Sequence, residues 1–283
     1  MTDIRKSLYI CGQQLLSELM SPRVWAAYLL AVVNILRITL SYMDYLGNNP
    51  GQICEAFLLA FSDRTSVTLF LLSYFILICD APFVNARSML MIYRVKRAVW
   101  GAGMILYMAV HTVIFYGIIF LVSAAASAPF CFAGNIWSTP VYIMAKFSPA
   151  SASLKGFPMP SATLITQWQP WEAVCHAFLL IFLYSMLLAL LMFVLNLNVH
   201  RFVGSACALG VHAFGFFMIS EMMYFDIKYS LLANCILCNH EPAYDWTLGF
   251  TYSFYGVIIL ALMLLFGLLI RFTDFKASIG GRS

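Results

Sequence analysis

Residues 172–195 read EAVCHAFLLIFLYSMLLALLMFVL, and past Glu172 this stretch holds no Asp, Glu, Lys or Arg. A helix that crosses a bilayer needs roughly 20 mostly apolar residues. Lipid offers the backbone no hydrogen-bond partner, so such a lone segment must be a helix. Five further segments read the same way: Val24–Met43, Ser66–Phe83, Trp100–Ala124, Phe202–Met222 and Leu248–Ile270. The composition agrees with them. Of the 283 residues, 63% are hydrophobic and 10% charged, against about 45–50% and about 25% in a soluble domain. A lipid-facing surface accounts for the surplus. The sequence therefore predicts an all-α, polytopic membrane protein. It forms a single transmembrane domain over 1–283, with six transmembrane helices within 24–270.

The basic residues orient it. With the N-terminus inside, the cytoplasmic set is Arg5, Lys6, Arg23, Arg87, Arg94, Lys96, Arg97, Arg201, Arg271, Lys276 and Arg282, which is eleven. The outer set is Arg64, Lys146, Lys155 and Lys228, which is four. Cytoplasmic loops carry the excess of Lys and Arg, so both termini are expected in the cytoplasm of a multi-pass plasma-membrane protein. Residues 1–22 are expected to hold an amphipathic interfacial helix, with Ile4, Leu8, Cys11, Leu15 and Leu19 on one face. Ser21-Pro22 ends it and starts a fresh helix. Residues 271–283 form a cytoplasmic tail. The first twenty residues lack the unbroken apolar core and cleavage site of a signal peptide. The outer loop 125–171 carries belt-forming Trp137, Tyr142, Trp168 and Trp171, and Tyr229–Leu237 reads as a re-entrant or interfacial element. The net charge of +4 fits a basic cytoplasmic face and does not suggest nucleic acid.

The chain has no G-x-x-x-x-G-K-[ST] phosphate loop, no H-E-x-x-H, no G-x-S-x-G and no dinucleotide-binding glycine pattern. It is not expected to be an enzyme. A handful of polar residues within or beside the spans are candidates for a substrate path. Arg37 is the most unusual, because a mid-span charge costs at least about 2.5–3.5 kcal/mol. It lines a path, with Asn34 one turn away, or it snorkels to the outer head groups. His111 is a proton relay or a helix–helix hydrogen bond. Glu221 contacts substrate or breaks its helix near the outer face, and Glu172 complements a helix dipole. Cys54, Cys131, Cys235 and Cys238 fall in outer loops, where disulfides persist. A bridge among them, a metal site built on Cys235-x-x-Cys238 with His240, and free thiols are the three readings. Four cysteines allow three pairings, and only three local ligands are visible for a zinc that wants four.

Between spans two and three the chain runs Cys79-Asp-Ala-Pro-Phe-Val-Asn-Ala-Arg-Ser-Met-Leu-Met-Ile-Tyr-Arg-Val-Lys-Arg-Ala-Val-Trp-Gly101. A helix end, Pro-Phe, a polar turn, a short apolar run, a basic turn and Trp-Gly follow one another. With the six-span layout and the amphipathic first helix, this resembles the membrane (permease) subunits of ABC transporters of the type-two exporter family. The family often carries an acidic residue shortly after Pro-Phe, where this chain has Asn85 and Arg87. The resemblance implies a coupling helix in this loop, with Asn85, Arg87, Leu90, Met91, Tyr93 and Arg94 facing an ATP-binding cassette ATPase subunit. It further implies a second permease subunit, identical or homologous, around a shared path. ATP and Mg would be bound by the ATPase, with no cofactor on this chain. The rivals are a secondary transporter and an accessory membrane subunit without ATP coupling.

Overall fold

A computed structural model describes residues 2–81, 95–147, 157–158, 161–199, 202–221, 227–240 and 245–270. Among them the architecture is all-α. The helices, in chain order, are α1 (Asp3–Glu18), α2 (Pro22–Leu46), α3 (Glu55–Ala60), α4 (Arg64–Ile78), α5 (Arg97–Ser127), α6 (Thr139–Phe147), α7 (Ala162–Gln167), α8 (Pro170–Asn198), α9 (Val203–Glu221), α10 (Leu231–Cys235) and α11 (Leu248–Leu269). A two-residue parallel pairing, β1 (Gly51–Gln52) with β2 (Cys131–Phe132), ties the loop after α2 to the loop after α5.

Four helices are long and apolar enough to cross a membrane: α2, α5, α8 and α11. Each lies on one of the expected spans. The other two expected spans are helices too, but short: Arg64–Ile78 and Val203–Ile219 are the apolar stretches concerned. At 1.5 Å per residue the 15 residues of α4 reach about 22 Å, short of a hydrocarbon core about 30 Å thick.

The long helix α8 is the hub. Most of its faces are buried, by α5, α9 and α11 and by the short α3 and α10, so the near-continuous apolar run of 172–195 packs against protein on several sides. Aromatic side chains fill the space between helices. Phe61 stacks on Phe70 at 4.9 Å, and Trp100, Phe193 and Phe266 form a second run with centroids 6.0 and 5.2 Å apart. Hydroxyl pairs join helices inside this core: Tyr74 with Thr112 (2.6 Å), Tyr116 with Ser185 (2.7 Å) and Thr39 with Ser123 (3.2 Å). A buried hydroxyl without a partner is costly, so these pairs select one helix register.

The helix α1 packs along the first turns of α5, but not by the stripe expected from its sequence. Ile10, Cys11 and Gln14 face the bundle, whereas Ile4, Leu8 and Leu19 are exposed. Gly103 sets this contact: a Cβ there would stand 2.9 Å from Ile10 and 3.0 Å from the Ser7 carbonyl. The Ser7 hydroxyl adds a hydrogen bond to the Val99 carbonyl (3.0 Å). Of the stripe read from the sequence, Ile4, Leu8 and Leu19 are thus outward, while Cys11 and Leu15 pack against the bundle.

Candidate functional site

The polar residues of the bundle fall at three levels. At the end bearing most basic side chains, Arg23 at the start of α2 donates to Glu18 of α1 (2.8 Å) and pairs with Asp80 just past α4. Across the same end, Lys96 reaches Asp3 of α1 (3.2 Å). Asn196 near the end of α8 donates to the Ala81 carbonyl (2.9 Å) and accepts from the Gly204 N–H of α9 (2.8 Å). The expected coupling residues Asn85, Arg87, Leu90, Met91, Tyr93 and Arg94 lie outside the described residues. The residues that flank them, Asp80 and Lys96, are both tied to α1, directly or through Arg23.

The middle level is a break just ahead of the second expected span. The chain leaves α3 at Ala60, turns through Phe61-Ser62-Asp63, and restarts as α4. Asp63 caps α4, its carboxylate accepting from the Ser66 N–H (2.9 Å). Asn34 of α2 packs on this first turn, donating to the Ser66 carbonyl (3.5 Å). Its Oδ1 is buried with no hydrogen-bond partner. Arg37, one turn further along α2, is exposed. Arg64, expected in an outer loop, instead opens α4 and lies 5.4 Å from the centre of the Phe216 ring of α9.

Among the described residues the histidines do not converge on a catalytic point. His111 sits 2.9 Å from the Tyr107 hydroxyl of its own helix, so the expected helix–helix bond is an intrahelical one. His212 lies 3.0 Å from the Tyr184 hydroxyl and 3.2 Å from Thr68 Oγ1, joining α9 to α8 and α4. His176 lies 2.7 Å from the Tyr252 hydroxyl, joining α8 to α11. Glu221 is the last residue of α9 and Glu172 lies in the first turn of α8. Asn34 and Arg37 thus sit on α2, His111 on α5 and Glu221 at the end of α9.

At the far end the structure holds a carboxylate that the sequence reading passed over. Glu55 opens α3 and is fully buried. Its Oε2 accepts from the Tyr42 hydroxyl and the Gln52 N–H (2.9 Å), and its Oε1 from the Ser138 N–H (2.7 Å). One side chain thereby joins α2, β1 and the start of α6. The available signal was a single acidic residue leading into the apolar run Ala56–Phe61.

The cysteines correct an expectation. All eight are free thiols, including Cys54, Cys131, Cys235 and Cys238. They sit in separate structural elements: Cys54 before α3, Cys131 in β2, Cys235 at the end of α10, and Cys238 in a 3₁₀ turn with its thiol against Ser62 and Ser161. Burial pushes the Cys54, Cys131 and Cys238 thiols up to about 11, which keeps them protonated and slow in exchange. Alkylation followed by peptide mapping is expected to give the same pattern with and without reductant. A cysteine that labels only after reduction contradicts this arrangement. Among the described residues no three His, Cys, Asp or Glu side chains gather to hold a metal.

No family model, curated protein or solved structure matches this chain. The assignment of function rests on its own residues. Chemically they offer hydrogen-bonded hydroxyl and imidazole pairs, one break with charge inside the bundle, and a braced basic end.

Proposed function

We propose that this chain is the permease subunit of an ABC transporter of the type-two exporter class. It spans the plasma membrane six times, counting α3 with α4 as one broken span and α9 as a short one. Both termini are cytoplasmic, and α1 lies in the interface with Ile4, Leu8 and Leu19 toward lipid. A second permease subunit completes the substrate path. ATP and Mg are held by a separate ATPase, since this chain carries no phosphate loop.

The observation that carries this reading is the bracing of the basic end. Segment 82–94 is flanked by Asp80, paired with Arg23 and through it linked to Glu18, and by Lys96, paired with Asp3. A push on that segment is delivered to α1, α2, α4 and α5 together, which is what a lever requires. In sequence, segment 82–94 interleaves Leu90, Met91 and Tyr93 with Asn85, Arg87 and Arg94, the mix of apolar and basic residues that suits a groove on the ATPase.

Purification from native membranes in mild detergent is expected to bring down ATP hydrolysis with the chain. Met91→Glu together with Tyr93→Glu should lower the co-eluting activity at least about tenfold, the scale of losing interface anchors, with helix content unchanged. Unaltered association in that variant removes the docking surface. The break at Phe61-Ser62-Asp63 is the one feature that favours a secondary transporter. Proton-driven flux by the lone chain, without ATP, would select that reading.

A further inference from the structure

We propose that the groove between the start of α5 and the end of α11 binds an anionic membrane lipid, with Arg97 at its head-group end. The site goes beyond the permease reading. It needs only that α5 and α11 cross the bilayer with their basic end toward the cytoplasm.

The groove arises from a close helix contact. Gly101 of α5 makes that contact: a Cβ there would stand 2.5 Å from the Phe266 ring and 2.8 Å from the Ile270 side chain. Phe266 and Ile270 are the buried residues at this end of α11. Beside the contact lies a cavity of about 710 Å³, within the range of about 300–1,000 Å³ that small ligands occupy. Arg97, Ala98, Ala102 and Ile105 line it from α5, and Gly267 joins Phe266 and Ile270 from α11. The small residues at 98, 102 and 267 leave the hollow that larger ones would fill. Helix α1 contributes nothing to its lining, because α1 meets α5 at Val99 and Gly103 instead.

Position and charge select the occupant. Arg97 is the first residue of α5, and Ile105 lies eight residues on, about 12 Å deeper. Much of α11 faces outward, with Val257, Leu260, Leu264 and Leu268 more than half exposed. In a bilayer that surface meets acyl chains. The groove therefore has an apolar length beside lipid and a guanidinium at the end nearest the head groups. Arg97 is the only charged residue among those that line the cavity. A guanidinium stays protonated and matches phosphate oxygens in bidentate fashion. The first turn of α5 holds no acidic residue, and its N-cap Lys96 makes no side-chain cap, so the positive end of the helix adds to the same sign. The positive-inside rule puts this end in the cytoplasmic leaflet, which carries the anionic lipids. A choline head group would set a second cation beside Arg97.

The test reconstitutes the full chain in vesicles of equal phosphatidylcholine and phosphatidylglycerol. Trace phosphatidylglycerol or phosphatidylcholine, each with the same diazirine-bearing tail, is added in parallel and photolysed. Adducts are mapped by peptide mass spectrometry. Over residues 98–105 and 266–270 the anionic probe should give about fivefold more adduct, the scale of one basic side chain near an anionic lipid. Arg97→Gln should remove the preference, and Arg97→Lys should keep it. Ala102→Leu, which fills the hollow, should lower the adducts of both probes there and leave those on exposed Leu29, Leu30 and Val33 of α2 unchanged. Equal yields from the two probes would overturn the proposal, as would a preference that survives Arg97→Gln. Adducts on α2 with none in the groove would also overturn it, since protein, a second copy included, would then cover the site. No ATPase enters the assay, so its result stands whether or not the permease reading does.

Discussion

Replacing Asn234 with alanine is expected to lower stability by about 3–4 kcal/mol, from four lost hydrogen bonds at about 1 kcal/mol each. Asn234 lies in α10 and is fully buried. Its Oδ1 accepts from Trp246 Nε1 (2.8 Å) and from the Thr251 hydroxyl (2.6 Å). Its Nδ2 donates to the carbonyls of Lys228 (2.7 Å) and Ser230 (2.9 Å). Every donor and acceptor of the amide is in use, and the partners come from the 3₁₀ turn before α10, the loop after it and the first turn of α11. Alanine strands the Trp246 N–H and the Lys228 carbonyl, while the Ser230 carbonyl keeps the backbone N–H of residue 234 (3.1 Å) and the Thr251 hydroxyl keeps His240 Nε2 (2.9 Å). The denaturation midpoint in mixed micelles should fall accordingly, and amide exchange should rise over Leu231–Asn239 before it rises in α8. A shift under about 1 kcal/mol would show that this short-helix plug is held by apolar packing alone.

Glu55→Ala is expected to rank beside it, at about 3 kcal/mol, because it leaves the buried Tyr42 hydroxyl and the N–H groups of Gln52 and Ser138 without their acceptor. Glu55→Gln keeps a carbonyl acceptor in the same place and should recover part of that loss. A Gln variant no more stable than the Ala variant would show that these hydrogen bonds do not carry the effect.

The six apolar segments were legible because each carries a long run that no soluble core needs. What escaped was short or set by contacts. The α3 helix has six residues, too few for a periodic pattern, and it is fixed by Glu55 reaching back to Tyr42. The second span was read as beginning at Ser66 and reaching Phe83, whereas the helix runs Arg64–Ile78. Asp63 caps it at one end, and Asp80 is drawn to Arg23 past the other. Arg64 was placed in an outer loop, whereas it is the first residue of α4, behind the Asp63 cap. The short elements at Tyr229–Leu237 were legible as apolar and too short to cross, but not the Asn234 network that holds them. The expected cysteine bridge came from loop placement. Loop placement does not reveal that the Cys238 thiol turns toward Ser62 and Ser161. On α1 the residues read as one stripe divide between inside and outside, because the close approach at Gly103 and the Ser7 hydrogen bond set which side meets α5.

These features divide the labour along the bundle. Hydrogen-bonded short helices and the Glu55 clasp hold the far end. Ion pairs to α1 brace the basic end, where the proposed partner would push. A photoreactive amino acid placed at Met91, activated in native membranes and followed by mass spectrometry of the adduct, tests this most directly. The account predicts a covalent adduct with a nucleotide-binding ATPase subunit on the cytoplasmic side. Adducts with lipid alone, or with a protein on the opposite face of the membrane, would contradict it.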